Sequence, residues 1–130
     1  MYLLDTNTLI YFFKGIGNVG KKLLSHSPKE IFIPSIVVYE LEVGIAKSSL
    51  PKKRTQQLST LLQQITIIDF GIKEAKNAAS IRATLEQNGN PIGPIDILIA
   101  GCAKANGLTL VTHNTKEFSR VDNINLEDWF

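Results

Sequence analysis

The sequence predicts an α/β protein with a central, mainly parallel β-sheet flanked by helices on both faces. Short apolar runs alternate with segments of helical periodicity from one end of the chain to the other. Strands that are separated each time by a helix pair in parallel, because the crossover returns the chain to the same end of the sheet. A late segment, Ile95 to Ala105, is apolar on most sides and therefore belongs in the middle of the molecule.

Tyr2 to Leu4 is the first apolar run and ends on Asp5, after which Thr6–Asn7 offers an N-cap to a helix from Thr8 to Lys14, stopped by Gly15. Asn18 is placed to cap a short helix through Leu24. Glu30 to Ile33 reads as the second strand, closed by Pro34, and Ser35 as the cap of the helix IVVYELEVGIAKS. Pro51 opens the next helix, in which Leu58, Leu61, Leu62 and Ile65 share one face. Thr66 to Ile68 is the third strand.

Asp69 is expected to cap a long amphipathic helix to Asn88 whose apolar positions are Ile72, Ala75, Ala79, Ala83 and Leu85, with Gly89 as its stop. The stiff turn Asn90-Pro91-Ile92-Gly93-Pro94 then delivers the apolar helix, which Asn106–Gly107 ends. Leu108 to Val111 is the fourth strand, Asn114 to Phe118 a turn or short helix, and Ile124 to Leu126 an edge strand before the tail EDWF.

A chain of 130 residues has the size of one domain, and 44% hydrophobic with 20% charged residues suits a fold without disordered tails, so residues 1–130 are expected to form a single domain. Cys102 stands alone in an apolar run and is read as a buried thiol rather than half of a disulfide. The N-terminus MYLLDTN lacks the pattern of a secretory signal, and no window reaches the roughly 18 apolar residues of a membrane span. A cytoplasmic protein with no membrane partner is the expectation. The formal charge of +2 is too small to argue for nucleic-acid binding by itself. Basic residues do cluster at Lys21–Lys22 and in Pro51–Arg54, which reads either as solvated helix surface or as a patch for RNA.

Chemistry is suggested by acids standing beside apolar runs. Asp5 directly follows a buried strand, where a carboxylate is costly unless it coordinates a metal or caps the next helix. Asp96 lies in the first turn of the apolar helix, where an acid complements the dipole or serves a metal. Glu40 sits mid-helix on a face with Ile36, Tyr39 and Val43 and is either a surface acid or a site member. Asn114 follows the fourth strand and is either a turn residue or a provider of a side-chain oxygen. In open parallel sheets ligands bind beyond the carboxyl ends of the strands, so Asp5 and Asn114 can face one crevice. Clustered acids without a Gly-rich phosphate loop suit Mg²⁺, which takes oxygen ligands and keeps several waters. His26 and His113 have no metal-ligand spacing to each other or to Cys102, against a zinc site.

The segments LLDTN with a helix behind it, SIVVYELEVG, PIGPID and LVTHNTKEF, in this order, resemble the PIN-domain ribonucleases, and within them the VapC toxins of VapBC toxin–antitoxin pairs. The resemblance runs from Leu3 to the terminal LEDW. It implies a Mg²⁺-dependent endoribonuclease, with Mn²⁺ as an alternative ion, in which Asp5 and Asp96 are the principal metal ligands, Glu40 joins them and Asn114 completes the pocket. Thr6 and Thr112 become supporting hydroxyls. Many PIN domains carry an acid where this chain has Asn114, and Glu117 is placed to compensate in part. The branch with PIGP-x-D and T-x-N-T-x-E-F is similar to enzymes that cut tRNA, including initiator tRNA in its anticodon loop.

The implied partners are RNA, a small VapB-like antitoxin, a second copy of the chain, and toxin–antitoxin hetero-oligomers. Lys21, Lys22, Lys52, Lys53, Arg54 and Arg82 are the candidates to steer RNA. The competing reading is a catalytically weak PIN-fold module that binds RNA or antitoxin. Phosphoryl transfer to Asp5 is disfavoured, since Thr6, Asn7 and Thr8 stand where a second acid is wanted.

Overall fold

In the computed structural model, which describes residues 1–130, the apolar runs become five short strands: β1 (Tyr2–Leu4), β2 (Ile31–Pro34), β3 (Thr66–Ile68), β4 (Thr109–Val111) and β5 (Leu126–Glu127). All pair in parallel in the order β3-β2-β1-β4-β5, with Leu3 opposite Phe32 on one side and Leu110 on the other. Consecutive residues Leu3 and Leu4, and likewise Leu110 and Val111, are fully buried, as expected of central strands covered on both faces. Thr66 and Ile67 of the edge strand β3 are exposed.

Seven helices connect the strands: α1 (Thr6–Lys14), α2 (Val19–Leu24), α3 (Ser35–Ala46), α4 (Pro51–Leu62), α5 (Ile72–Gln87), α6 (Pro94–Ala105) and α7 (Thr115–Phe118). The chain steps from β1 through β2 to β3, then crosses back over β1 to β4. Right-handed crossovers in opposite directions put α1–α4 on one face and α5–α6 on the other. The reversal lies between β1 and β4, where the loops diverge and leave a crevice.

The apolar helix is central, burying Ile97, Ile99, Ala100, Gly101, Cys102 and Ala103. Its partner α5 buries Glu74, Ala78, Ile81 and Leu85, whereas Ile72 is 75% exposed and Ala79 and Ala83 lie on the surface. Alanines populate more than one face of α5, and the pairing with α6 selects among them. A Cβ at Gly101 would stand 2.7 Å from the Ala78 Cβ and 2.9 Å from the Ala78 backbone nitrogen, so the two helices approach as closely as their backbones permit.

Several helix starts differ from the sequence reading. Asp5 itself, not Thr6–Asn7, caps α1 by accepting the Thr8 N–H. Ser35 is already helical behind Pro34, which β2 includes, and no side chain caps α3. Asn18 occupies the cap position of α2 but gives its side-chain amide to the Phe130 carbonyl, which also accepts the Asn18 backbone N–H at 2.7 Å. Asp69 lies outside α5, whose first turn is instead closed by Glu74 Oε1 accepting the Gly71 N–H at 3.0 Å. The edge strand lies at Leu126–Glu127 because Leu110 and Val111 pair there. No helix is long and apolar enough to cross a membrane.

Candidate active site

Four carboxylates meet at the crevice between β1 and β4, each delivered by a different helix. Asp5 ends β1 and begins α1, Glu40 is in the second turn of α3, Asp96 in the first turn of α6 and Glu117 in α7. Asp5 and Glu40 belong to helices on one face of the sheet, whereas Asp96 comes from the other, so their meeting depends on both crossovers.

Asp5 is the most firmly held. Its backbone N–H reaches the Val111 carbonyl at 3.2 Å, tying the end of β1 to the end of β4. One carboxylate oxygen accepts the Thr8 N–H at 3.0 Å, and the other accepts the Thr112 hydroxyl at 2.6 Å. Thr112 Oγ1 in turn accepts the Asn114 N–H at 3.0 Å, and Asn114 Nδ2 donates to Glu117 Oε2 at 2.8 Å. A chain of bonds therefore runs from Asp5 to Glu117. The Thr6 hydroxyl donates to Glu40 Oε1, which turns this acid toward the start of α1.

The acids oppose one another electrostatically. Burial is the main cause that raises the Asp5 pKa above the usual range, overriding the hydrogen bonds from Thr112 and Thr8 that favour its charged form, and the charge of Asp128 adds to the rise. Asp96 is pushed up to about 6, first by partial burial and then by the charges of Asp5, Glu117 and Glu40. Those causes place all four acids within electrostatic reach. No lysine, arginine or histidine forms an ion pair with any of them; the three pairs in the molecule are His26–Glu30, Arg82–Glu86 and His113–Asp128.

An uncompensated set of oxygen donors suits a hard divalent cation. The acids do not close into a ready-made cage of three or more ligands, a looseness that fits Mg²⁺, since it retains several of its own waters. Gly93 lies beside Asp96, where a Cβ would stand 3.4 Å from Oδ2 in ordinary van der Waals contact.

Residues 2–124 match the PIN domain family model. The chain is 39% identical to ribonuclease VapC2 of Rickettsia felis over 99% of its own length and 98% of that protein's. It is 34% identical to the tRNA(fMet)-specific endonuclease VapC of Shigella flexneri over 98% of this chain and 97% of the relative. This chain belongs to the VapC ribonucleases of the PIN-domain family. Solved structures agree: the Rickettsia felis VapBC2 complex bound to a promoter DNA fragment superposes with a TM-score of 0.92 at 38% identity, covering 99% of this chain and 98% of that one. FitAcB from Neisseria gonorrhoeae gives 0.86 at 28% identity, covering 97% and 96%.

Within this VapC-family fold, Asp5, Glu40, Asp96 and Asn114 all reach the same crevice, as do Thr6 and Thr112. Glu117 also belongs to the cluster: Asn114 is neutral and holds it through Nδ2, and the Glu117 charge helps raise the Asp96 pKa. Thr8 was missed. Its backbone N–H holds Asp5 and its hydroxyl reaches the Val111 carbonyl at 3.2 Å, a role visible only as the third residue after an N-cap aspartate. Of the basic candidates, Arg82 is paired with Glu86 on α5, and Lys21, Lys22, Lys52 and Lys53 are exposed. Cys102 is fully buried and its thiol is pushed up to about 12, chiefly by desolvation, which leaves it chemically inert.

Proposed function

We propose that this VapC-family chain is a Mg²⁺-dependent endoribonuclease toxin that hydrolyses a phosphodiester in tRNA, with Asp5 and Asp96 as the metal ligands, Glu40 as proton acceptor and Asn114 as positioning residue. The observation that carries the reading is the set of four acids without a counter-cation at the reversal point of the sheet. When bound, Mg²⁺ would neutralise charge on the scissile phosphate and make water more acidic; Mn²⁺ offers the same oxygen chemistry.

The residues divide the remaining work. Asp5 is fixed by the Thr8 N–H on one carboxylate oxygen and the Thr112 hydroxyl on the other, so its oxygens cannot rotate away from the crevice. Asp96, raised to about 6, is mostly ionised at neutral pH and presents its charge beside Asp5. Glu40 uses one oxygen to accept from Thr6 and keeps the other for a proton. As the water oxygen bonds to phosphorus, its proton passes to Glu40, the bond to the leaving oxygen breaks, and solvent protonates that oxygen. Asn114 holds Glu117 at the rim of the cluster.

The substrate follows from the relatives, two of which are named tRNA(fMet)-specific endonucleases at 34% identity over 98% of this chain. Initiator tRNA, cut in its anticodon loop, is the first substrate to try. The VapBC complexes among the structural relatives support a VapB-like antitoxin as partner; the assembly proposed with it is a homodimer within a toxin–antitoxin hetero-oligomer. Purified chain incubated with initiator tRNA and Mg²⁺ is expected to give discrete fragments, and EDTA is expected to stop the reaction. Asp5→Asn and Asp96→Asn that both retained full metal-dependent cleavage would overturn the assignment; RNA binding without cleavage would favour the catalytically weak module.

A further inference from the structure

A groove of about 400 Å³ runs between α1 and α3 and connects the acid cluster to a pair of cations. Glu40 lines one part of it, and Lys14 and Arg54 line another. Ile10, Phe13, Leu41 and Ile45 give it apolar walls, with Ser48 and Ser49 as hydroxyls near the α3–α4 turn. From α1 the groove takes Ile10, Phe13 and Lys14, and it meets the acid cluster through Glu40, whose Oε1 accepts from Thr6 in the first turn of α1. Along α1, residue 5 lies about 12 Å from residue 13 at the helical rise per residue.

Arg54 differs from the other cations in being half-buried and fixed. One guanidinium nitrogen donates to Gln57 Oε1 at 2.8 Å and to the Phe13 carbonyl at 3.4 Å, and Gln57 Nε2 donates to the same carbonyl at 3.3 Å. It has no carboxylate partner although Glu40 lines the same groove, and neither has Lys14. A preorganised guanidinium with donors to spare is suited to bind a phosphate in two-pronged fashion.

We infer that Arg54, assisted by Lys14, is a phosphate-binding positioning site for the RNA strand, seated in the α1–α3 groove a short run of nucleotides from the cleaved bond. The inference rests on the ribonuclease reading above. A polyanion fits both ends of this groove: one phosphate is held by Arg54, another lies among the acids with the metal, and the apolar walls between take the faces of bases. Lys52 and Lys53, on the same helix but free in solvent, contribute only to general attraction.

The test compares Arg54→Gln, Arg54→Lys, Lys14→Gln and Lys52→Gln in steady-state cleavage of initiator tRNA with Mg²⁺, and in binding of fluorescein-labelled initiator tRNA to an Asp5→Asn background. Arg54→Gln is expected to raise KM and weaken binding about tenfold, with kcat within about twofold, and to lower the salt dependence of binding by about one phosphate contact. Arg54→Lys should restore part of the loss, Lys14→Gln should cost about threefold, and Lys52→Gln little. If Arg54→Gln lowers thermal stability but leaves KM, binding and salt dependence unchanged, Arg54 only caps α1 and the inference fails alone. If it weakens binding of a co-purified antitoxin and not of tRNA, the groove belongs to a protein partner and the inference fails. A wild-type chain that neither binds nor cuts RNA overturns both readings together.

Discussion

Asp5 and Glu74 are both buried carboxylates, 5% and 3% exposed, and the fold treats them in opposite ways. Burial works against the charged form of each. Around Glu74 it is outweighed by the Asn106 side chain at 3.0 Å, the backbone N–H groups of Glu74 and Gly71, and the charge of Lys73, so its carboxyl sits below the usual range. Around Asp5 the hydrogen bonds from Thr112 and Thr8 do not overcome burial, and further acids stand nearby in place of cations. Glu74 is a satisfied structural acid closing α5 onto α6; Asp5 and its neighbours retain charge that awaits a ligand. Burial of an acid is therefore no mark of function, whereas burial without compensation is.

The sharpest way to break this contrast is Asp96→Asn. It should reduce metal-dependent RNA cleavage by about a thousandfold or more, since it removes charge that the developing transition state needs, yet thermal unfolding without metal should show a Tm no lower than wild type. Lost cleavage accompanied by a large fall in Tm would make Asp96 a structural acid like Glu74.

Next in size is stabilisation by metal. Mg²⁺ at a hundred times its Kd should raise stability by about 2.7 kcal/mol in a thermal melt, and this gain should vanish in Asp5→Asn but persist in Glu74→Gln. The reverse perturbation, Glu74→Gln, should lower the urea midpoint of unfolding, because its amide would face Asn106 Nδ2, donor against donor, while that nitrogen is also committed to the Cys102 carbonyl. Specific activity corrected for folded fraction should stay within about twofold.

The smallest effect is the pH dependence. Asp96 binds its proton more tightly in the folded chain, so its contribution to metal-free stability falls as pH rises from its ordinary 3.8 to about 6. Glu74 has the opposite sign: its lowered pKa gives stability above the ordinary 4.5, lost as pH falls below it. Denaturation between pH 4 and about 6 should therefore show a downward slope in wild type that flattens in Asp96→Asn, or on adding Mg²⁺. Cleavage should rise through the same range as Asp96 ionises.

The alternation of strands and helices, the central placement of Ile95 to Ala105, and the candidacy of Asp5, Glu40, Asp96 and Asn114 were legible in the order of residues along the chain. Each of these lies in a local pattern: an acid after an apolar run, or a motif in a fixed order. Packing decided the rest. The buried face of α5 was misjudged because its alanines suit several faces, and the close approach of Ala78 to Gly101 chose one. Asp69 was expected to cap α5 because it follows a strand, whereas the part Glu74 plays is set by the Gly71 N–H and by Asn106, which arrives from thirty-two residues away. Arg54 was one cation among six in the sequence, and only the Phe13 carbonyl and Gln57 distinguish it. Periodicity encodes which residues turn inward, whereas the charge left over at a site depends on partners brought together from distant parts of the chain, and that only the tertiary structure supplies.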